Sequence, residues 1–98
     1  MPAYLFANVE VTDAAGYEQY RQQVSATIET YGGRFLVRGG AAKLLEGDWS
    51  PKRLVILEFP DMTQLEAWYH SAAYRPLLEL RARTTNSTLV AVEGVAAH

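Results

Sequence analysis

The sequence predicts an α+β domain in which four strands form one antiparallel sheet and the helices lie on one side of it. Three observations carry this. Alternating and helical apolar patterns follow one another as strand, helix, strand, then strand, helix, strand, and both halves pass from strand to helix alike, at Val11-Thr12-Asp13 and Phe59-Pro60-Asp61. Right-handed crossovers close such a repeat as βαββαβ, the ferredoxin-like arrangement. The sheet face left without helices is itself apolar, carrying Tyr4, Phe6, Leu36, Leu54, Ile56, Leu89 and Ala91, so a second copy of the chain is expected to cover it.

Ala3 to Val11 alternates Tyr4, Phe6, Asn8 and Glu10 against Leu5, Ala7, Val9 and Val11, a strand with two distinct faces. Thr12 or Asp13 caps the helix that follows, whose stripe is Tyr17, Tyr20, Val24, Ile28 and Tyr31. Gly32 suits the left-handed position that ends it. In the second strand Phe35 and Val37 oppose Arg34, Leu36 and Arg38, and Gly39-Gly40 closes it. A short strand is expected over Lys43 to Glu46, then a turn through Trp49 to Pro51. From Lys52 to Phe59 the third main strand sets Val55, Leu57 and Phe59 against Leu54, Ile56 and Glu58. Asp61 with Gln64 reads as a capping box, and Leu65, Trp68 and Tyr69 face inward from the helix it opens. Pro76 lacks the amide a helix interior needs, so a kink or two successive helices follows, with Ser71 capping the second part. A polar loop over Thr84 to Ser87 precedes the last strand, Thr88 to Glu93.

At 98 residues the chain is expected to be one domain over 1–98, with its core in about 3–95. Hydrophobic residues at 49% and charged residues at 20% exclude a disordered composition. Nine Lys plus Arg against eleven Asp plus Glu, with no run of like charge longer than two residues, leave no nucleic-acid footprint. The absence of cysteine removes disulfide and thiolate chemistry and fits a reducing compartment. Apolar runs such as Leu54 to Leu57 are too short to span a membrane, and the N-terminus lacks a secretory pattern, so a cytoplasmic location is expected.

Strand alternation places Asn8, Arg34, Arg38, Glu58 and Glu93 on the face expected to meet a partner, where polar groups must be paired, hydrated or used. In a cleft there, Arg38 would anchor an anionic oxygen, Glu58 or Glu93 would move a proton, Asn8 would orient the substrate, and Trp68 or Tyr69 would line the wall. The structural alternative is an Arg34–Glu58 ion pair across neighbouring strands, with Trp68 and Tyr69 as core. Only His70 and His98 carry imidazole, and no spacing suggests a metal site. The glycine pairs lack a dinucleotide or phosphate-loop fingerprint, so no cofactor is expected.

The stretch Tyr31-Gly32-Gly33-Arg34-Phe35-Leu36-Val37-Arg38-Gly39-Gly40, with Glu46-Gly47-Asp48-Trp49 and Arg53 through Pro60, resembles the domain-of-unknown-function 1330 family. The likeness continues through Trp68-Tyr69, Ser71, Tyr74 and Leu80-Arg81 to Val92-Glu93-Gly94. Ala72-Ala73 departs from the Pro-Glu usual there. The resemblance implies a dimeric α/β barrel, in which two ferredoxin-like subunits face each other through their sheets. It implies either cofactor-independent, monooxygenase-like or isomerase-like acid–base chemistry on a small organic molecule, or a non-catalytic binding module or structural dimer. A haem is disfavoured because no histidine lies in a strand.

Overall fold

A computed structural model describes residues 1–96; His98 lies outside the described residues. The elements run β1 (Ala3–Val11), α1 (Ala14–Thr30), β2 (Arg34–Arg38), β3 (Arg53–Phe59), α2 (Met62–Tyr69), α3 (Arg75–Thr84) and β4 (Thr85–Glu93). All pairings are antiparallel, and the strand order is β2-β3-β1-β4. The two long strands β1 and β4 pair along their full length, from Ala3 opposite Glu93 to Val11 opposite Thr85.

Local chemistry explains the helix boundaries. Asp13 caps α1 by accepting from the Gly16 amide at 3.2 Å, and Asp61 caps α2 by accepting from Gln64 at 2.8 Å, each satisfying one amide that a helix start leaves free. After α1 the chain turns at Gly32, whose φ of +77° is the left-handed conformation that glycine adopts without strain. Pro76 sits in the first turn of α3, where a missing amide costs nothing, so the chain forms two helices. The Ser71 hydroxyl accepts from the Tyr74 amide at 3.1 Å in the turn between them.

The core lies between the sheet and the helices. Leu5, Ala7, Val9, Leu57 and Phe59 from the sheet meet Tyr17, Tyr20, Val24 and Ile28 of α1, together with Leu65, Trp68, Tyr74 and Leu77. Trp68 is 1% exposed. Its ring centroid lies 4.2 Å from Tyr74 and 5.4 Å from Phe59, and its Nε1 donates to the Thr27 hydroxyl at 3.0 Å. A buried indole thus has both apolar neighbours and a hydrogen-bond partner.

Four expectations are corrected. Lys43–Glu46 forms no strand; the segment is exposed and has no ladder partner. Thr84–Ser87 is not a loop, because α3 ends at Thr84 and β4 starts at Thr85. Their hydroxyls bond back to the carbonyls of Leu80 and Arg81, and the Thr84 carbonyl accepts from Thr12 and Asp13, which fixes the corner without extra residues. In β2 a bulge intervenes: Phe35 pairs with Leu57, but Val37 pairs with Ile56 and Arg38 with Val55. The extra residue reverses the alternation, so Val37 lies on the outer face and Arg38 turns under the helices. In β4, Leu89 and Ala91 pair with Ala7 and Leu5 and share their helix-side face, as Glu93 shares that of Ala3; Val90 and Val92 occupy the outer face instead.

The molecule is a slab of 37 × 37 × 16 Å with one face of the sheet uncovered. Phe6, Leu36, Val90 and Val92 are exposed there, beside half-buried Leu54 and Ile56. Among the described residues, no helix is long and apolar enough to cross a membrane.

Candidate functional site

Each residue expected to form a site has a definite place. Arg34 and Glu58 face each other across β2 and β3 on the outer face, with Arg34 Nη2 2.8 Å from Glu58 Oε1. Tyr4 neighbours this pair; its hydroxyl pKa is raised, by desolvation first and then by its hydrogen bond with the Glu58 carboxylate. Asn8, also on the outer face, accepts through Oδ1 from the Lys52 amide at 2.9 Å and so ties down the start of β3. Glu93 is exposed at the end of β4. Arg38 lies on the other side of the sheet: Nη2 donates to the Arg21 carbonyl of α1 at 2.8 Å, and its guanidinium stacks over Phe35. Trp68 and Tyr69 are also on the helix side. The expected constellation is therefore divided by the sheet.

What the structure brings together instead is a set of donors around a cavity between helices and sheet. Leu5, Ala7 and Leu89 form its floor, with Val24 and Trp68 above, and its volume is about 40 Å³, room for roughly three waters at ~10–15 Å³ each. Its polar lining includes Tyr17, Tyr20, Tyr74, Arg21, Arg38 and Arg81, and among the described residues no carboxylate lines it. The hydroxyls of Tyr20 and Tyr74 are 2.8 Å apart, and Arg81 Nε donates to the Tyr74 hydroxyl over a long 3.5 Å.

Arg81 is 8% exposed and, among the described residues, makes no ion pair. Burial works to lower its pKa, but the Tyr74 hydroxyl and the nearby Tyr20 and Tyr69 outweigh that, and the net shift is upward, so the guanidinium stays charged. Burial, followed by the proximity of Tyr74, pushes the Tyr20 hydroxyl far up, so it remains a proton donor. Permanent donors in apolar surroundings are suited to holding an oxyanion, since low dielectric strengthens each of their hydrogen bonds.

A shallower groove of about 280 Å³ opens beside α2 and shares Leu5 and Leu89 with the cavity. Glu66, Tyr69 and His70 border it and supply the titratable groups on that side. Among the described residues there is no cluster of three or more His, Cys, Asp or Glu able to hold a metal. Sequence reasoning missed Arg81, Tyr20 and Tyr74 as a polar set. The signal was an arginine seven residues after Tyr74, at a core position of an otherwise apolar helix stripe.

No curated protein matches the chain. Among solved structures, the RPA0582 protein of unknown function from Rhodopseudomonas palustris is similar at a TM-score of 0.77 and 18% identity, over 98% of this chain and 84% of that one. SnoaB from Streptomyces nogalater, a cofactor-independent oxygenase, gives a TM-score of 0.67 at 13% identity, over 98% of this chain and 95% of that one. A dimeric ferredoxin-like protein of unknown function from Jannaschia sp. CCS1 gives 0.65 at 12% identity, over 96% of this chain and all (100%) of that one. At these identities the likeness establishes the fold, which is shared by proteins with different functions. The family model for a domain of unknown function, DUF1330, matches residues 2–95, and the chain belongs to that family.

Proposed function

We propose that this chain is a homodimer of one-domain subunits, joined through the outer sheet face, and that each subunit binds a small organic molecule on the helix side of its sheet. The observation that carries the proposal is Arg81: a guanidinium 8% exposed, without a counter-charge among the described residues, beside two tyrosine hydroxyls in a largely apolar cavity. A ligand oxygen carrying full or developing negative charge would satisfy it, such as an enolate. Arg38, Trp68 and Tyr69 belong to this ligand side. Asn8, Arg34 and Glu58 are assigned to the subunit interface. Glu58 and Glu93 lie away from the cavity, so in a catalytic reading any proton transfer passes to Glu66 or His70 in the adjoining groove.

The fold shared with a cofactor-independent oxygenase supports a cofactor-free reaction as the catalytic reading. A cavity lining that holds arginines and tyrosines but, among the described residues, no carboxylate favours the second reading, a binding module without turnover. For a chain without cysteine we take the cytoplasm as its location.

A thermal-shift screen of small aromatic and keto-acid metabolites distinguishes the two sides of the sheet, because a ligand specific for the native state raises stability by mass action. The expected result is a stabilising hit that Arg81→Met abolishes and Glu58→Gln leaves intact. A hit abolished by Glu58→Gln and retained by Arg81→Met would place the ligand on the outer face. Turnover of the hit separates the enzyme from the module.

A further inference from the structure

We propose that Arg21, Arg38 and Arg53 form an anion-recognition site on the β2 side of the cavity, and that the ligand is a small organic carboxylate. The proposal rests on the cavity as the ligand site and adds the chemical class of what enters it. Three elements supply the cations. The bulge in β2 turns Arg38 under α1, Arg53 shares the helix-side face of its partner Val9, and Arg21 comes from α1 itself. They are linked in series: Arg53 Nη2 donates to the Arg38 carbonyl at 3.4 Å, and Arg38 donates to the Arg21 carbonyl at 2.8 Å and to the Ser25 hydroxyl at 3.3 Å.

Charge does not balance here. Glu18, 2.9 Å from Arg21, is the one carboxylate paired with any of the three among the described residues. Neighbouring like charges repel, and an anion placed between them relieves that repulsion. The Nε–H groups of Arg21 and Arg53 are also buried without a hydrogen-bond partner, an unusual state for buried donors. Arg53 is held by a single long hydrogen bond and a ring contact, 5.8 Å from the Tyr17 centroid. So loosely tethered a guanidinium can re-aim its Nε–Nη edge, the edge that grips a carboxylate through two parallel bonds. Gly39 makes room for it: its φ is +73°, and a side chain there would collide with the Arg53 guanidinium. The carboxylate, rather than an inorganic anion, follows from the wall behind the cations. Phe35, Val55 and Val24 line the adjoining cavity, whose volume of about 40 Å³ would take a short alkyl group.

The test follows the arginine Nε–Hε signals of the full chain by NMR during titration with propionate, propionamide and inorganic phosphate. Propionate is expected to move the Arg21 and Arg53 signals and to bind about tenfold more weakly to Arg53→Gln, and more weakly also to Arg53→Lys, which keeps the charge but loses Nε–H. Propionamide is expected to leave these signals in place. Equal binding of acid and amide overturns the anion site while leaving the cavity reading intact. Phosphate binding as strongly as propionate overturns the carboxylate class. Failure of both acid and amide to bind overturns the cavity reading on which the proposal stands.

Discussion

Arg81 carries a charge into the interior, and among the described residues its side chain makes one hydrogen bond, from Nε to the Tyr74 hydroxyl 3.5 Å away. A buried charge without a partner usually weakens a fold, and apolar residues of similar volume often replace such groups without loss. Arg81→Met should therefore leave stability unchanged or raise it by about 1–2 kcal/mol in urea denaturation while ligand binding disappears. A loss of about 3 kcal/mol or more would instead mark the arginine as structural. Tyr20 supplies a second residue-scale prediction. Burial pushes its folded pKa far above the ordinary 10.0, so above about pH 10 the unfolded chain releases this proton while the folded one keeps it, and stability falls as pH rises. Melting temperatures measured from pH 8 upward should decline beyond pH 10 in the wild type, and less steeply in Tyr20→Phe; identical slopes would contradict the assignment. The buried position of Arg81 was hard to read from sequence because a long arginine stem commonly crosses apolar surface to put its charge in water.

Elements with strong contrast between their faces were legible, and those without it were not. The caps at Asp13 and Asp61 and the stripe of α1 follow from side-chain chemistry within one turn, and the structure has them where the sequence puts them. Asp61→Ala should cost about 1 kcal/mol, read from the denaturation midpoint, because the Gln64 amide loses its acceptor. No change would mean that water serves the helix end equally well. Strand β4 reads Thr88-Leu89-Val90-Ala91-Val92, apolar on both faces, so alternation cannot say which side faces the helices. Its register comes from the corner at Thr84 and Thr85, where hydroxyls bond back into α3. The bulge at Leu36 was equally silent, since one extra residue leaves the composition unchanged while moving Arg38 to the opposite side.

For the whole molecule, the βαββαβ order, the four-stranded antiparallel sheet and the apolar character of its outer face were legible, because they depend on sums over many residues. The site was only partly legible, because it depends on two register details. With Phe6 at 44% exposure and Val90 at 58%, the outer face offers a second copy the apolar centre that stable interfaces have. If the proposed dimer forms through this face, Phe6→Glu with Ile56→Lys should yield a monomer by light scattering; a monomeric wild type, or a mutant that stays dimeric, would remove the interface assignment. The central claim is that a ligand enters between sheet and helices while the outer face meets the partner. Methyl NMR of the full chain with a bound hit from the metabolite screen tests this most directly, since alternate residues of one strand report opposite faces. The account predicts shifts at Leu5, Val24 and Leu89 with Ile56, Val90 and Val92 unmoved, and the reverse pattern would contradict it.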